Sequence, residues 1–193
     1  MTVDERREEL IRFGRELFSR HAYDALSIDD IAAAASVSKG LLYHYFENKR
    51  DYYVAVVRAV TAEMREVLPD PSLPPDQQLR QGIEGYLDFA ENHAHAFRSV
   101  LDGGVGADAD VRQVVEEIRT LYIERILGAL SIDSPSPVLR LALRGWIGFG
   151  EAATVQWLAE REVARGDLVR MLIEMLNAVF ESARRIDPAI DVR

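Results

Sequence analysis

The sequence predicts an all-α protein of about nine helices, a three-helix head at the amino-terminal end followed by a larger helical body. Apolar residues recur at helical spacing along almost the whole chain, from Leu10, Phe13, Leu17 and Phe18 to Leu168, Leu172, Met175, Leu176 and Val179. No segment alternates with period two for long enough to read as a strand. Proline and glycine clusters punctuate the pattern: P-D-P-S-L-P-P at 69–75, D-G-G-V-G-A-D-A-D at 102–110 and S-P-S-P at 134–137.

The first helix carries Leu10, Phe13, Leu17 and Phe18 on one stripe, with Arg6, Arg7, Arg12, Arg15 and Arg20 between them. Ser27 is a good N-cap with Asp30 three residues on, and Ile28, Ile31, Ala32 and Ala35 then share a face, so a second helix runs from about Ser27 to Ala34. Ala35, Ser36 and Val37 break the pattern. Ser38 caps a third helix that turns Leu42, Tyr45 and Phe46 to one side and Gly40, Leu41, Tyr43 and His44 outward. Two exposed aromatic rings beside a small residue and an aliphatic make a poor solvent surface, but they suit one that presses on a sugar-phosphate wall and base edges. Lys39, Lys49 and Arg50 bracket that face with positive charge. From pattern alone, a core helical hairpin with Tyr43 and His44 merely solvated remains the alternative. Asn48 with Asp51 opens a fourth helix through Tyr53, Val56, Val60, Met64 and Val67, placing Lys49 where a helix N-terminus meets phosphate.

Four prolines between 69 and 75 stop that helix, and the next runs through Leu79, Ile83, Tyr86, Leu87, Phe89 and Ala90. A short helix covers His93 to Leu101, a longer one Val111 to Leu130, and another opens at Pro137 and reaches about Ala159. Gly166 and Asp167 are expected to stop one element and cap the last. In the penultimate helix Gly145, Gly148 and Ala152 lie on one face. Each helical glycine costs about 1 kcal/mol relative to Ala, so a partner helix or a ligand is expected close to that backbone. The final stripe of Leu168, Leu172, Met175, Leu176 and Val179 serves equally well as intrachain core or as a seam with a second copy. Tyr86, Phe89, Phe97, Tyr122, Trp146 and Phe149 are more aromatic side chain than such a body needs, and they line either the core or an apolar ligand cavity.

Composition excludes several classes. There is no cysteine, so disulfides and thiol chemistry are absent. Gly148 to Ala153 satisfies G-x-G-x-x-A, yet it sits inside a helix with no βαβ unit around it. Glu91 and His95 stand at i, i+4 with no third metal ligand in view, and the loop glycines Gly103, Gly104 and Gly106 lack a following Lys-Ser/Thr pair. No catalytic, cofactor or metal site is expected. The amino-terminal stretch lacks the apolar core of a signal peptide, and Arg140, Arg144 and Glu151 interrupt the most apolar segment, so a cytoplasmic protein off the membrane is expected. Net charge is -9, from 23 Lys+Arg against 32 Asp+Glu, and residues 1–50 hold 8 of those bases and 9 of those acids. The acidic excess therefore lies away from the basic face, which favours specific over non-specific DNA binding.

Residues 27–49 resemble the helix-turn-helix of tetracycline-repressor-type (TetR family) regulators, T-x-x-x-I-A-x-x-A-G-V-S-x-G-x-L-Y-x-Y-F-x-x-K. Ser27, Ile31, Ala32, Ala35, Val37, Ser38, Gly40, Leu42, Tyr43, Tyr45, Phe46 and Lys49 match it. Ser36 stands where the family has glycine, and Leu41 where many members carry a small hydroxyl residue. The resemblance implies a DNA-binding head at 1–47 and a ligand-binding and dimerisation body at 48–193. It implies DNA contacts from Ser27, Ser38, Lys39, Gly40, Leu41, Tyr43, His44 and Lys49, and a homodimer seam including Gly145, Ala152, Leu168, Leu172, Met175, Leu176 and Val179. The implied partners are a double-stranded operator and a small apolar or aromatic effector that releases a repressor from it. A helical small-molecule-binding protein or enzyme with a vestigial head is the alternative.

Overall fold

The computed structural model describes residues 2–66, 69–70, 72–101 and 108–190; the expectations on Val67, Pro71, Gly103, Gly104 and Gly106 fall outside them. The described residues form nine α-helices and no strand: α1 Val3–Arg20, α2 Ile28–Ala34, α3 Lys39–Tyr45, α4 Lys49–Glu66, α5 Pro75–Asn92, α6 Ala94–Leu101, α7 Ala109–Ala129, α8 Pro137–Glu160 and α9 Arg165–Ile186. A single 3-10 turn, Tyr23–Ala25, stands between α1 and α2.

Helix starts follow local capping chemistry. Thr2 and Glu5 close a capping box on α1, Ser27 and Asp30 do so on α2, and the Ser136 hydroxyl accepts from Leu139 N–H with Pro137 in the first turn of α8. The α8–α9 junction departs from the expectation. Arg161, at φ 56°, takes the left-handed position that ends α8, so Gly166 and Asp167 lie inside the first turn of α9 instead of before it. Asp167 there pairs with Arg170 and complements the helix N-terminus.

Compactness groups the segments into two units. One holds residues 1–64 and 92–115, and the other residues 65–91 and 116–193. In three dimensions most of α4, all of α6 and the start of α7 group with α1, α2 and α3.

In the first unit, every residue of α4 from Tyr52 to Val57 is buried. Phe18 of α1 meets Tyr53 edge-on with ring centroids 4.9 Å apart, and Phe46 meets Tyr52 at the same distance. The Tyr52 hydroxyl donates to the Leu10 carbonyl at 2.7 Å, which satisfies it inside the core. Gly14 allows this approach. A Cβ on Gly14 would lie 2.5 Å from both the Tyr52 hydroxyl and a Val56 methyl. Burial pushes the Tyr53 hydroxyl up to about 12.

In the second unit α8 packs along α9. Leu143, Trp146, Ile147, Gly150 and Leu158 of α8 and Leu168, Leu172, Leu176 and Phe180 of α9 are buried, with Leu172 against Gly150 and Trp146. The Trp146 indole N–H donates to the Leu172 carbonyl of α9 at 2.9 Å, and that of Trp157 to the Val163 carbonyl in the connection between the helices at 2.8 Å. Each fully buried apolar side chain contributes roughly 1.5–3 kcal/mol.

Candidate nucleic-acid interface

The α2–α3 turn is a Schellman closure. Ser36 N–H donates to Ala33 and Val37 N–H to Ala32, at 3.1 and 3.0 Å, with Ser36 in the left-handed region at φ 54°. The glycine position thus keeps its backbone conformation although serine occupies it, at a strain of about 1 kcal/mol. Ser38 then caps α3 by accepting from Leu41 N–H at 3.1 Å.

Leu42 and Phe46 anchor α3 in the core, and Tyr45 is half-buried. The opposite side presents Gly40 and His44 exposed, Leu41 half-buried and Tyr43 with 47% of its surface in solvent. The His44 ring stands edge-on to Tyr45 at 5.0 Å, which orients it. A Cβ on Gly40 would meet only the Ser38 hydroxyl, at 3.9 Å. The chain's own packing therefore does not require glycine there, whereas close approach of an outside backbone would.

Ser27 takes its expected place as the N-cap of α2. Its hydroxyl and N–H both bond the Asp30 carboxylate, at 2.6 and 2.8 Å, and its oxygen accepts from Asp30 N–H. These bonds hold Asp30 below the ordinary carboxylate range and commit the hydroxyl to the cap.

The cations around this face are already engaged. Lys39 pairs with Asp29 of α2 at 2.9 Å, a hydrogen bond that raises its pKa. The Lys49 ammonium stands 3.8 Å from the centroid of Tyr23, a cation–π contact that holds it at the start of α4. Arg50 bonds Asp108 through Nε and Nη2, the latter at 2.9 Å, and Asp110 through Nη2 at 2.7 Å. Sequence reading missed Tyr23, Asp29, Asp108 and Asp110. The last two lie 58 and 60 residues from Arg50, where no spacing rule applies.

The body residues separate. Tyr86 of α5 and Tyr122 of α7 meet edge-on at 6.1 Å, and the Tyr86 hydroxyl lies against Thr154 of α8, a fully buried threonine. Burial raises both phenols, Tyr122 to about 12. Beside them Arg119 forks onto Glu151 with bonds of 2.8 and 2.6 Å, and Arg144 and Arg119 share Glu116. Phe89 and Phe149 are half-buried in the same unit, while Phe97 belongs to the other. Trp146 is a core residue whose polar atom is spent on α9.

The seam residues separate as well. Leu168, Leu172 and Leu176 are turned into the chain's own core, since a Leu172 methyl lies 3.5 Å from the Cβ position of Gly150. Gly145, Ala152 and Met175 are exposed and Val179 is half-buried. Leu141, 75% exposed, and Met171 extend that open surface, and a Cβ on Gly145 would meet nothing. Among the described residues no group of three His, Cys, Asp or Glu side chains could hold a metal ion. Glu91 instead pairs with Arg161 and Arg165.

Residues 10–56 match the model of bacterial regulatory proteins of the tetR family, and residues 75–179 match the tetracyclin repressor-like C-terminal domain. The chain belongs to the TetR family. A TetR-family transcriptional regulator from Streptomyces coelicolor superposes with a TM-score of 0.90 at 30% identity, over 97% of this chain and 86% of that one. The HTH-type transcriptional repressor AcnR of Corynebacterium efficiens is 27% identical over 191 residues, 94% of each chain. The HTH-type transcriptional activator FasR of Mycolicibacterium smegmatis is 28% identical over 135 residues, which cover 68% of this chain and 61% of FasR. In TetR-family terms, all the DNA-contact candidates fall within the amino-terminal match. All the ligand candidates and, among the seam candidates, all from Gly145 to Val179 fall within the carboxy-terminal one.

Proposed function

We propose that this TetR-family chain is a transcriptional repressor that binds a palindromic operator as a homodimer and is released by a small, mostly apolar or aromatic effector. The observation that carries the reading is α3: it is anchored by Leu42 and Phe46 and presents Gly40, Leu41, Tyr43 and His44 outward, with open space at Gly40. One such helix per subunit enters one major groove, so half-sites stand about 34–36 Å apart or somewhat more. Ser38, Lys39, Tyr43, His44 and Lys49 supply the phosphate and base contacts.

The second copy covers Leu141, Gly145, Ala152, Met171 and Met175, the open face of α8 and α9. The effector sits among Tyr86, Phe89, Tyr122 and Phe149, with Arg119, Glu151 and Thr154 as the polar end of its environment. It releases the operator by its difference in affinity for the free and DNA-bound states. The repressor sign is supported by AcnR, which aligns over nearly its full length.

The test is selection from a random duplex pool followed by gel-shift titration. A palindrome should be enriched, and Tyr43→Ala and Lys49→Ala should each weaken binding at unchanged melting temperature. Lys49→Ala should also lower the salt slope by about one. A dimer that enriches no sequence would favour a small-molecule-binding protein with a vestigial head.

A further inference from the structure

We propose that Asp108 and Asp110 hold Arg50 back from DNA, and that operator binding hands this guanidinium from the two carboxylates to a backbone phosphate, an exchange that rests on the DNA-binding reading above. Arg50 is the residue after Lys49 in the first turn of α4, where exposed backbone N–H groups favour an anion. A carboxylate and a phosphate present the same forked acceptor geometry to a guanidinium, so each can replace the other on Arg50.

The surrounding side chains form one corner. Tyr23, whose ring carries Lys49, also feels the charges of Asp108 and Arg50. Lys49 and Arg50 bring two positive charges to it, and Asp24, Asp108 and Asp110 set three negative ones against them. The charge of Arg50 is thus masked from DNA until it changes partner.

The exchange leaves no buried polar atom stranded. Asp108 is also the N-cap of α7, its Oδ1 accepting from Asp110 N–H at 2.9 Å and from Val111 N–H at 3.4 Å. When Arg50 leaves, Asp108 keeps its bonds to the helix end, and Asp110, half-buried as a residue but with 46% of its side chain in solvent, returns to water. The energetic difference between the two partners is therefore small, which suits a contact that must open on binding.

The test uses the full chain and a duplex selected by the wild-type protein, titrated by fluorescence anisotropy at several salt concentrations. Asp108→Asn/Asp110→Asn should bind roughly three- to tenfold tighter, because Arg50 no longer has to leave two carboxylates. Arg50→Gln should weaken binding and lower the salt slope by about one, the mark of one lost phosphate contact. In the Arg50→Gln background the two Asn substitutions should add little. Asn caps helices as well as Asp does, so α7 should persist, and Asp110→Asn alone gives the same direction without touching the cap. An unchanged salt slope in Arg50→Gln, weaker binding by the Asn pair, or an equal gain with and without Arg50 would each overturn the exchange while leaving operator binding intact. Failure to enrich any duplex would overturn the DNA-binding reading and the exchange with it.

Discussion

Gly14 in the head unit and Gly145 in the body are both glycines inside helices, where alanine costs less, yet the structure gives them opposite surroundings. A Cβ on Gly14 would strike Tyr52 and Val56 at 2.5 Å, while one on Gly145 would meet nothing. Gly150, five residues beyond Gly145 and on the buried side of α8, lies between these cases with Leu172 at ordinary contact distance. A glycine in a helix costs the same backbone entropy wherever it stands. What it is for depends on what its face meets. In the head it brings α1 and α4 together, and on α8 the space at Gly145 is open.

The sharpest way to break this comparison is Leu172→Glu. Its side chain is buried, and a carboxylate there has no partner, so the body should lose several kcal/mol. Chemical denaturation should show a weaker fold rather than a clean change from dimer to monomer. A stable, folded monomer would mean that Leu172 faces a second copy after all.

Gly14→Ala comes next. The new methyl must displace the Tyr52 ring and with it the bond to the Leu10 carbonyl, at about 1–3 kcal/mol, and thermal melting should fall by several degrees. Unchanged melting would show that α1 and α4 can move apart freely.

Gly145→Ala should do the reverse in the isolated chain, favouring the helix by about 1 kcal/mol. If a second copy closes on that face, the same substitution should raise the dissociation constant measured by analytical ultracentrifugation. Met175→Glu should dissociate the dimer with the fold retained. The smallest effect is expected from Ser36→Gly, which relieves the left-handed strain and should raise stability by up to about 1 kcal/mol with DNA affinity unchanged.

Much of the head was legible because its signals are local. The Ser27–Asp30 cap, the Ser38 cap and the Asn48–Asp51 pair each depend on residues three apart, and all three are present. The outward set on α3 followed from 100° per residue and its anchor positions. Gly14 was legible in principle, since it lies at i+4 between Leu10 and Phe18 on the buried stripe, but an apolar stripe reads the same with or without a gap in it. The last helix shows the limit from the other side: its regular stripe was compatible with core or seam, and Leu168, Leu172 and Leu176 went to the core while Met175 did not.

What the sequence alone determined, then, is where helices begin and end and which head residues face outward, because capping and helical periodicity act within one or two turns of the chain. Even there, the α8–α9 junction escaped it: the end of α8 near residue 159 was legible, but Arg161 carries no glycine to announce the left-handed turn that let α9 begin before Gly166 and Asp167. Only the tertiary structure decided that Trp146 spends its N–H on α9, that Gly14 is enclosed and Gly145 open, and that Arg50 is gripped by Asp108 and Asp110. These are contacts between residues 26 to 60 positions apart, or voids left by such contacts. Chain spacing places no constraint on them until the helices pack.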